Sequence, residues 1–474
     1  MEGKLYINGE WIGDELEKIN VFNPATGELI GKVPNGGQSE TKFAIDSAYQ
    51  SFSSWSKTTA YERSGFLKEL YRLMLTHKNL LAELITLEMG KPLQEALGEV
   101  VYAASFLEWY AEEAKRVYGQ TIPASHGNKR MMVLKQPIGV VAAITPWNFP
   151  AAMLTRKIGP ALAAGCTVVV KPSELTPLTA MKITELAHQA GFPKGVINLV
   201  TGNPTAIGNE VMNNPKVRKV TFTGSTKVGK LLMAQGANQV KKLSLELGGH
   251  APIIILNDAE INKAITGVMA SKFRNAGQTC ICGNRIYVQS GIYDKFVEKL
   301  VEETAKLKIG NGMEAGIDIG PLINQAAVDK VNMQVNNAID NGAQCLLGGK
   351  QNDSFNPNYY PPTILTNVTQ EMIIMNEETF GPVAPIQKFE TDQEAIHCAN
   401  DTPSGLAAYV FTDNLTKGMK FVESLDYGII GWNDGAPSAA QAPFGGMKES
   451  GIGREGGQQG LEGFLETKYV SIQL

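Results

Sequence analysis

The chain opens on a short strand pattern, and Asn23-Pro24-Ala25-Thr26-Gly27-Glu28 supplies turn chemistry before the next apolar run. From about Ser39 to Tyr118 the period lengthens. In the stretch Arg63 to Met74 apolar residues recur at spacings of three and four, as on an amphipathic helix that covers a core. These helices read as packing elements. Arg130 to Gln136 reads as a strand, and from Ile138 short buried runs take over. Val140 to Ile144, Thr167 to Val170, Val196 to Val200 and Lys219 to Phe222 are continuous apolar or β-branched segments separated by helical ones. Strands covered on both faces lose the polar alternation, so this order predicts a parallel sheet between two helical layers. Gly248-Gly249 marks the passage to a second domain, which repeats strand and helix through about Gly431. The last eleven residues, Phe464 to Leu474, alternate again. Such a strand either pairs across a subunit boundary or closes a sheet of its own chain.

A chain of 474 residues is too long for one core, so two domains with a ligand cleft between them are expected. Hydrophobic residues at 43% and charged ones at 19% describe a globular α/β enzyme rather than a disordered or fibrous protein. Lys plus Arg (43) nearly balances Asp plus Glu (47), which leaves no electrostatic footprint for nucleic acid or an anionic membrane. Met1 to Gly9 carries no apolar signal region and no later run is long enough to span a bilayer, so a cytoplasmic location is expected. The five cysteines are odd in number and scattered, as suits reduced thiols.

Cys280, in Phe273-Arg274-Asn275-Ala276-Gly277-Gln278-Thr279-Cys280-Ile281-Cys282, is the leading chemical candidate. A thiolate attacks carbonyl carbon if its surroundings favour the anion and a base completes the turnover; otherwise Cys280 is one more small buried hydrophobe. The Cys-x-Cys pair lacks the further ligands of a zinc site, so no metal is expected. Asn148, in Thr145-Pro146-Trp147-Asn148-Phe149-Pro150, follows a strand and reads either as an oxyanion donor beside the Cys280 N–H or as a turn residue. Lys171 and Glu174 end the next strand and suit a nucleotide ribose, the carboxylate opposing a 2′-phosphate; the alternative is a solvated pair opening a helix. Gly224 and Ser225 stand at another strand-to-helix junction, fit for a pyrophosphate. The literal G-x-G-x-x-G string from Gly451 to Gly456 has no preceding strand and is rejected as a dinucleotide fingerprint. Glu246, between Leu245 and Leu247, reads as a desolvated general base or as an ordinary surface carboxylate. None of the five histidines stands in a protease motif, but a thiol hydrolase stays open because its partners need not be near in sequence.

The order of these segments resembles the aldehyde dehydrogenase superfamily over essentially the whole chain. Thr145 to Pro150, Lys171 to Glu174, Phe222 to Ser225, Glu246 to Gly249, Gly277 to Cys280, Glu377 to Pro382 and Pro443 to Gly446 look like that family's successive motifs. The resemblance implies Cys280 as nucleophile, Glu246 as general base and Asn148 as oxyanion donor. It implies cofactor contacts at Ile144, Pro146, Trp147, Lys171, Ser173, Glu174, Gly224, Ser225, Gly248, Glu378 and Phe380, and Glu455 as a candidate second proton relay. Within the superfamily the chain resembles succinate-semialdehyde dehydrogenases through Leu154-Thr155-Arg156-Lys157, Ser271 to Asn275 and the Cys280/Cys282 pair. Arg156 and Arg274 would then hold the substrate's distal carboxylate, with Ser438 as a third contact. A guanidinium grips a carboxylate through two hydrogen bonds, which supports that assignment physically; Arg274 as a structural ion-pair residue is the alternative.

The expectation is therefore a Rossmann-like NAD-binding domain (residues 1–121 and 141–247), an α/β catalytic domain (248–435) and a small β-strand oligomerisation arm (122–140 and 436–474). The expected reaction is oxidation of succinate semialdehyde to succinate through a cysteine thiohemiacetal and thioester, with NAD preferred and NADP second, in a homodimer or homotetramer. Another acidic or small aliphatic aldehyde is the runner-up substrate, and a thiol hydrolase or a silent nucleotide-binding protein the other classes. Cys282 adds a separate expectation, a redox switch in which oxidation joins it to Cys280.

Overall fold

In the computed structural model, which describes residues 1–351 and 356–474, the four buried runs become neighbouring strands of one sheet. Its five parallel strands lie in the spatial order Ile197–Leu199, Thr167–Lys171, Val140–Ile144, Val217–Thr223 and Lys242–Glu246. Numbered along the chain this is the order 3-2-1-4-5 of a dinucleotide-binding half sheet, and its direction reverses between Val140–Ile144 and Val217–Thr223. Antiparallel strands close both edges: Leu5–Ile7 with Glu10–Ile12 on one side, Gly451–Ile452 on the other. Val141, Ala143, Val168 and Val170 face the larger core, while Val140, Ala142 and Val169 face a smaller one. Both faces are thus buried, which is why the sequence shows runs rather than alternation.

A second sheet takes the order Gln344–Leu347, Thr363–Thr366, Val383–Phe389, Gly283–Gln289, Ala251–Ile255, Ala407–Phe411, Ile429–Trp432, parallel except for its first member. Glu246 ends a strand of the first sheet and Ala251 begins one of the second, with only four residues between them. The carboxyl edge of one sheet therefore faces the amino edge of the other. Gly249 permits the closest approach, since a Cβ there would lie 2.3 Å from the Cys280 carbonyl oxygen.

A third, antiparallel sheet pairs Gln120–Ile122, Lys129–Pro137 and the terminal strand Leu465–Gln473 of the same chain. It leaves Ile122, Leu134, Tyr469 and Ile472 exposed. The segment 436–474 is not all arm: Gly451–Ile452 joins the first sheet, and Ala440, Leu461 and Phe464 join its larger core. Among the described residues no helix is long and apolar enough to cross a membrane.

Each helix that follows a parallel strand of the first sheet has its first N–H groups in view of a different acceptor. Glu99 accepts from Ala151 N (2.9 Å) and Ala152 N (3.3 Å) of Pro150–Ala164, and Glu88 from Leu178 N (2.7 Å) and Thr179 N (2.9 Å) of Pro177–Gln189. Asn203 caps Pro204–Asn213 through Thr205 N and Ala206 N, and Ser225 caps Thr226–Gly236 through Val228 N. In the second sheet Ile254, fully buried between Gly283–Gln289 and Ala407–Phe411, should tolerate truncation poorly. Ile254→Ala is expected to destabilise by about 2–5 kcal/mol, read as a lower urea midpoint.

Candidate active site

Two cavities meet at Cys280. One, of about 280 Å³, follows the carboxyl edge of the first sheet at its reversal point: Pro146, Trp147 and Asn148 from one strand end, Thr223, Gly224 and Ser225 from the next, with Gly248, Glu378 and Phe380 opposite. The other, of about 370 Å³, lies beyond Cys280 and carries Arg156, Arg274 and Ser438 together with Tyr102, Phe149 and Phe444. Cys280 lines both, so a molecule in either cavity reaches the thiol. Ile144 pairs with Lys171 in the sheet, and these two with Ser173 and Glu174 occupy the same edge outside the first cavity. Lys171 Nζ holds Glu174 Oε2 at 2.8 Å, and Ser173 Oγ accepts from Leu175 N.

The loop before Cys280 is strained and pinned. Asn275 (φ +54°) and Ala276 (φ +53°) both adopt the left-handed region, a conformation costing roughly 1–2 kcal/mol per residue with a side chain. Gly277 (φ +74°) continues it with no room for a Cβ, which would stand 2.2 Å from Gly381 O. Glu95 Oε2 accepts from Asn275 N (2.8 Å), Asn275 Nδ2 donates to Asn148 O (3.0 Å) and Gln278 O (3.1 Å), and Gln278 Oε1 accepts from Ile323 N (2.9 Å). Asn148 Nδ2 donates to the same Gln278 O at 3.0 Å. An amide nitrogen carries two hydrogens, so one remains for an oxyanion.

Burial pushes the Cys280 thiol up to about 12; Arg156 and Arg274 oppose this, while Glu378 and Glu246 add to it. Burial likewise pushes Glu246 well above the carboxylate range, Glu455 adds to that, and Arg156 and Lys157 oppose it. Glu246 Oε2 is buried and has no hydrogen-bond partner among the described residues. Glu455 behaves oppositely: burial raises it, but Lys157 and Arg156 outweigh burial and hold it below the usual range. Its carboxylate is gripped by Lys157 Nζ and lies 2.9 Å from Arg156 Nε. Pairing of this kind favours the anion at Glu455. Glu378, which accepts from Gly249 N at 3.2 Å, is raised by burial to about 7.

The arginines differ. Arg156 is fully buried, its guanidinium 3.9 Å from the Phe444 ring centre and paired to Glu455. Arg274 is half-buried and makes no ion pair among the described residues. Cys282 lines neither cavity; it is fully buried, its Sγ 3.6 Å from Lys272 O, and all five cysteines are free thiols.

Sequence reading missed one wall. The helix Leu93–Glu113, expected as packing, also points Glu95 and Glu99 at the site, and Lys91 just before it bonds Glu99 Oε2 (2.5 Å) and Asn148 O (2.8 Å). The spacing of 91, 95 and 99 among buried Ala96, Val100 and Ala103 was the available signal, since residues four apart share a helix face. Thr223, bonded by Lys157 Nζ at 2.6 Å, and Thr379, whose buried Oγ1 has no partner, were also missed.

The first cavity fits a nicotinamide dinucleotide. It lies at the sheet's reversal point and includes a helix N-terminus with a neutral cap, Ser225. Gly248 leaves open the space over Glu378, where a Cβ would come within 2.9 Å of Oε2. Fold and cavities together define a class, a nucleotide-dependent oxidoreductase with a thiol at the end of its crevice. The aldehyde dehydrogenase family model matches residues 11–470. A mitochondrial succinate-semialdehyde dehydrogenase of Arabidopsis thaliana is 55% identical over 467 residues, 98% of this chain and 88% of that protein. The succinate-semialdehyde dehydrogenase [NADP(+)] of Escherichia coli K12 is 53% identical, covering 99% of this chain and 97% of that one. A crystal structure of an E. coli NADP-dependent enzyme superposes with a TM-score of 0.99 at 52% identity, covering 100% of this chain and 98% of that one. The chain belongs to the aldehyde dehydrogenase family, with the α/β fold expected from its sequence. Its reaction class is aldehyde oxidation rather than thiol hydrolysis.

A thiol raised to about 12 is almost wholly protonated at neutral pH, and its thiolate fraction grows about tenfold per pH unit below that value. Alkylation of Cys280 by iodoacetamide in the cofactor-free enzyme, followed by peptide mass spectrometry, should accelerate continuously from pH 7 to pH 10. A plateau near pH 8 would contradict this.

Proposed function

We propose that the protein oxidises succinate semialdehyde to succinate with NAD. The observation that carries the substrate is Arg274, a guanidinium with no ion-pair partner among the described residues, on the wall of the cavity that Cys280 closes. A distal carboxylate satisfies that cation and fixes which end of the substrate meets the thiol. Ser438 adds a hydroxyl in the same cavity, and Arg156, already paired with Glu455, lines the wall beside it.

Cys280 Sγ, as thiolate, bonds the aldehyde carbon, and the oxyanion so formed takes hydrogen bonds from the spare Asn148 Nδ2 hydrogen and the Cys280 N–H. Gly224, Ser225, Gly248, Glu378 and Phe380 would hold the nicotinamide half and pyrophosphate, with Pro146 and Trp147 beside them. Lys171 and Glu174, with Ile144 and Ser173, would line the adenosine end. A bound nicotinamide supplies what the chain lacks, a hydride acceptor. Once the adduct on Cys280 is oxidised to the thioester, Glu246 takes a proton from water. The water oxygen bonds the thioester carbon, the C–S bond breaks, and the acid leaves with Cys280 regenerated. A carboxylate raised by burial is the stronger base, which suits Glu246 to this step.

NAD preference rests on Glu174, whose charge would meet a 2′-phosphate unfavourably. The exposed apolar side chains of the three-stranded arm support a homodimer or homotetramer, and the five free thiols suit a reducing cytoplasm. A Cys280–Cys282 disulfide is the less favoured part of the reading, because Cys282 is sealed from both cavities.

Purified enzyme with succinate semialdehyde and NAD should reduce the cofactor, followed by the absorbance of the reduced nicotinamide. Arg274→Ala should raise KM for succinate semialdehyde by roughly 10- to 100-fold while changing that for an uncharged aliphatic aldehyde little; equal effects on both would discard the carboxylate assignment. For the cofactor, kcat/KM with NAD should exceed that with NADP by about tenfold or more, and Glu174→Ala should narrow the gap. A higher value with NADP in the parent enzyme would reverse the assignment.

A further inference from the structure

The Lys91 side chain is 0% exposed, and it lines neither of the two cavities at Cys280. Its Nζ donates to Asn148 O (2.8 Å) and to Glu99 Oε2 (2.5 Å), and lies 3.7 Å from the Phe149 ring centre. Glu99's other oxygen accepts from Ala151 N and Ala152 N. One buried ion pair thus holds four of the five residues from 148 to 152, the segment that begins with the amide donor and opens the helix bearing Arg156. The same Asn148 carbonyl also receives Asn275 Nδ2 from the strained loop. We propose that Lys91 is a positioning residue for the oxidation: with Glu99 it fixes the Asn148 main chain, so that the side-chain amide stays against the Gln278-Thr279-Cys280 segment. This rests on the reading of Asn148 as the oxyanion donor.

A buried pair that served folding alone could have bonded any backbone. This one converges on the donor's own carbonyl, and a group misplaced by about 1 Å in a reacting geometry loses on the order of a hundredfold in rate. Removing the ammonium alone would strand Glu99 as an unpaired buried charge. Lys91→Met combined with Glu99→Gln removes both charges and keeps an amide oxygen to cap Ala151 N, so it serves beside the single variant where that one folds poorly.

The test is a double-mutant cycle in the full-length enzyme with saturating cofactor, kcat being normalised to alkylatable Cys280. Lys91→Met/Glu99→Gln should lower kcat roughly 10- to 100-fold, with KM for the cofactor changed less than about threefold. In an Asn148→Ala background the same pair of changes should lower kcat by less than about threefold, because the loss has already been taken. Equal factors in both backgrounds, or an unchanged kcat in the first, would overturn the proposal. Asn148→Ala alone separates the two layers. An unchanged kcat there removes the oxyanion role and this inference with it, whereas a large loss there with multiplicative Lys91 effects removes only the role of Lys91.

Discussion

Two acids and two bases share one dry region, and the way they divide their charge governs the site. Glu246 and Glu455 are both buried, as are Arg156 and Lys157. In a low dielectric two neighbouring carboxylates cannot ionise with equal ease, and cations go to the one with better geometry. Here Glu455 takes both, through the Arg156 and Lys157 pairs, and Glu246 is left with an unbonded oxygen. The result is a matched set from similar side chains: one carboxylate held toward the anion, the other pushed toward proton uptake. Cys280 shares that desolvation, which favours its neutral thiol over the nucleophilic thiolate.

Edge-to-edge docking of two parallel sheets creates the dry region. Open α/β sheets offer ligands their carboxyl ends, and here that edge is roofed by loops from the amino edge of the second sheet. The roof includes the strained turn at Asn275 and Ala276. Such a turn persists only where surroundings over-determine it. Glu95, Asn148, Gln278 and the close Gly277–Gly381 contact do so, drawing on the Leu93–Glu113 helix, the first sheet and the second together. Nucleophile placement is therefore a property of the assembled interface and of no single sheet.

That division explains what could be read from sequence. Val140 to Ile144 and Thr167 to Val170 were legible because buried parallel strands are apolar on both faces, and the observed strands differ by at most a residue at those ends. Asn148, Gly224 and Ser225 were legible as strand-end residues, since their location follows from the strand before them. Gly451–Ile452 was not, because its partner Lys242–Glu246 is some two hundred residues away and two residues carry no period. Ala276 in a left-handed conformation gave no local sign, alanine being a good helix former. Helix Leu93–Glu113 lies in the stretch of helical period from Ser39 to Tyr118, but period alone cannot tell that two glutamates on its inner side hold backbone from other segments. The Arg156–Glu455 pair was hidden for the same reason: motif order named both residues without showing that one neutralises the other.

The caps on the first sheet's helices have a consequence for where an anion can settle. Four helices leave its parallel strands, and each N-terminus is a potential seat for phosphate. Glu99, Glu88 and the Asn203 side chain occupy three of them from within the protein, two through carboxyl oxygens. At Thr226–Gly236 the acceptor is the neutral hydroxyl of Ser225, at 3.4 Å from Val228 N. The fold thus fills three of these seats with its own carboxyl and amide oxygens and closes the fourth only with a neutral hydroxyl, so a dinucleotide is sorted into register by exclusion as much as by attraction.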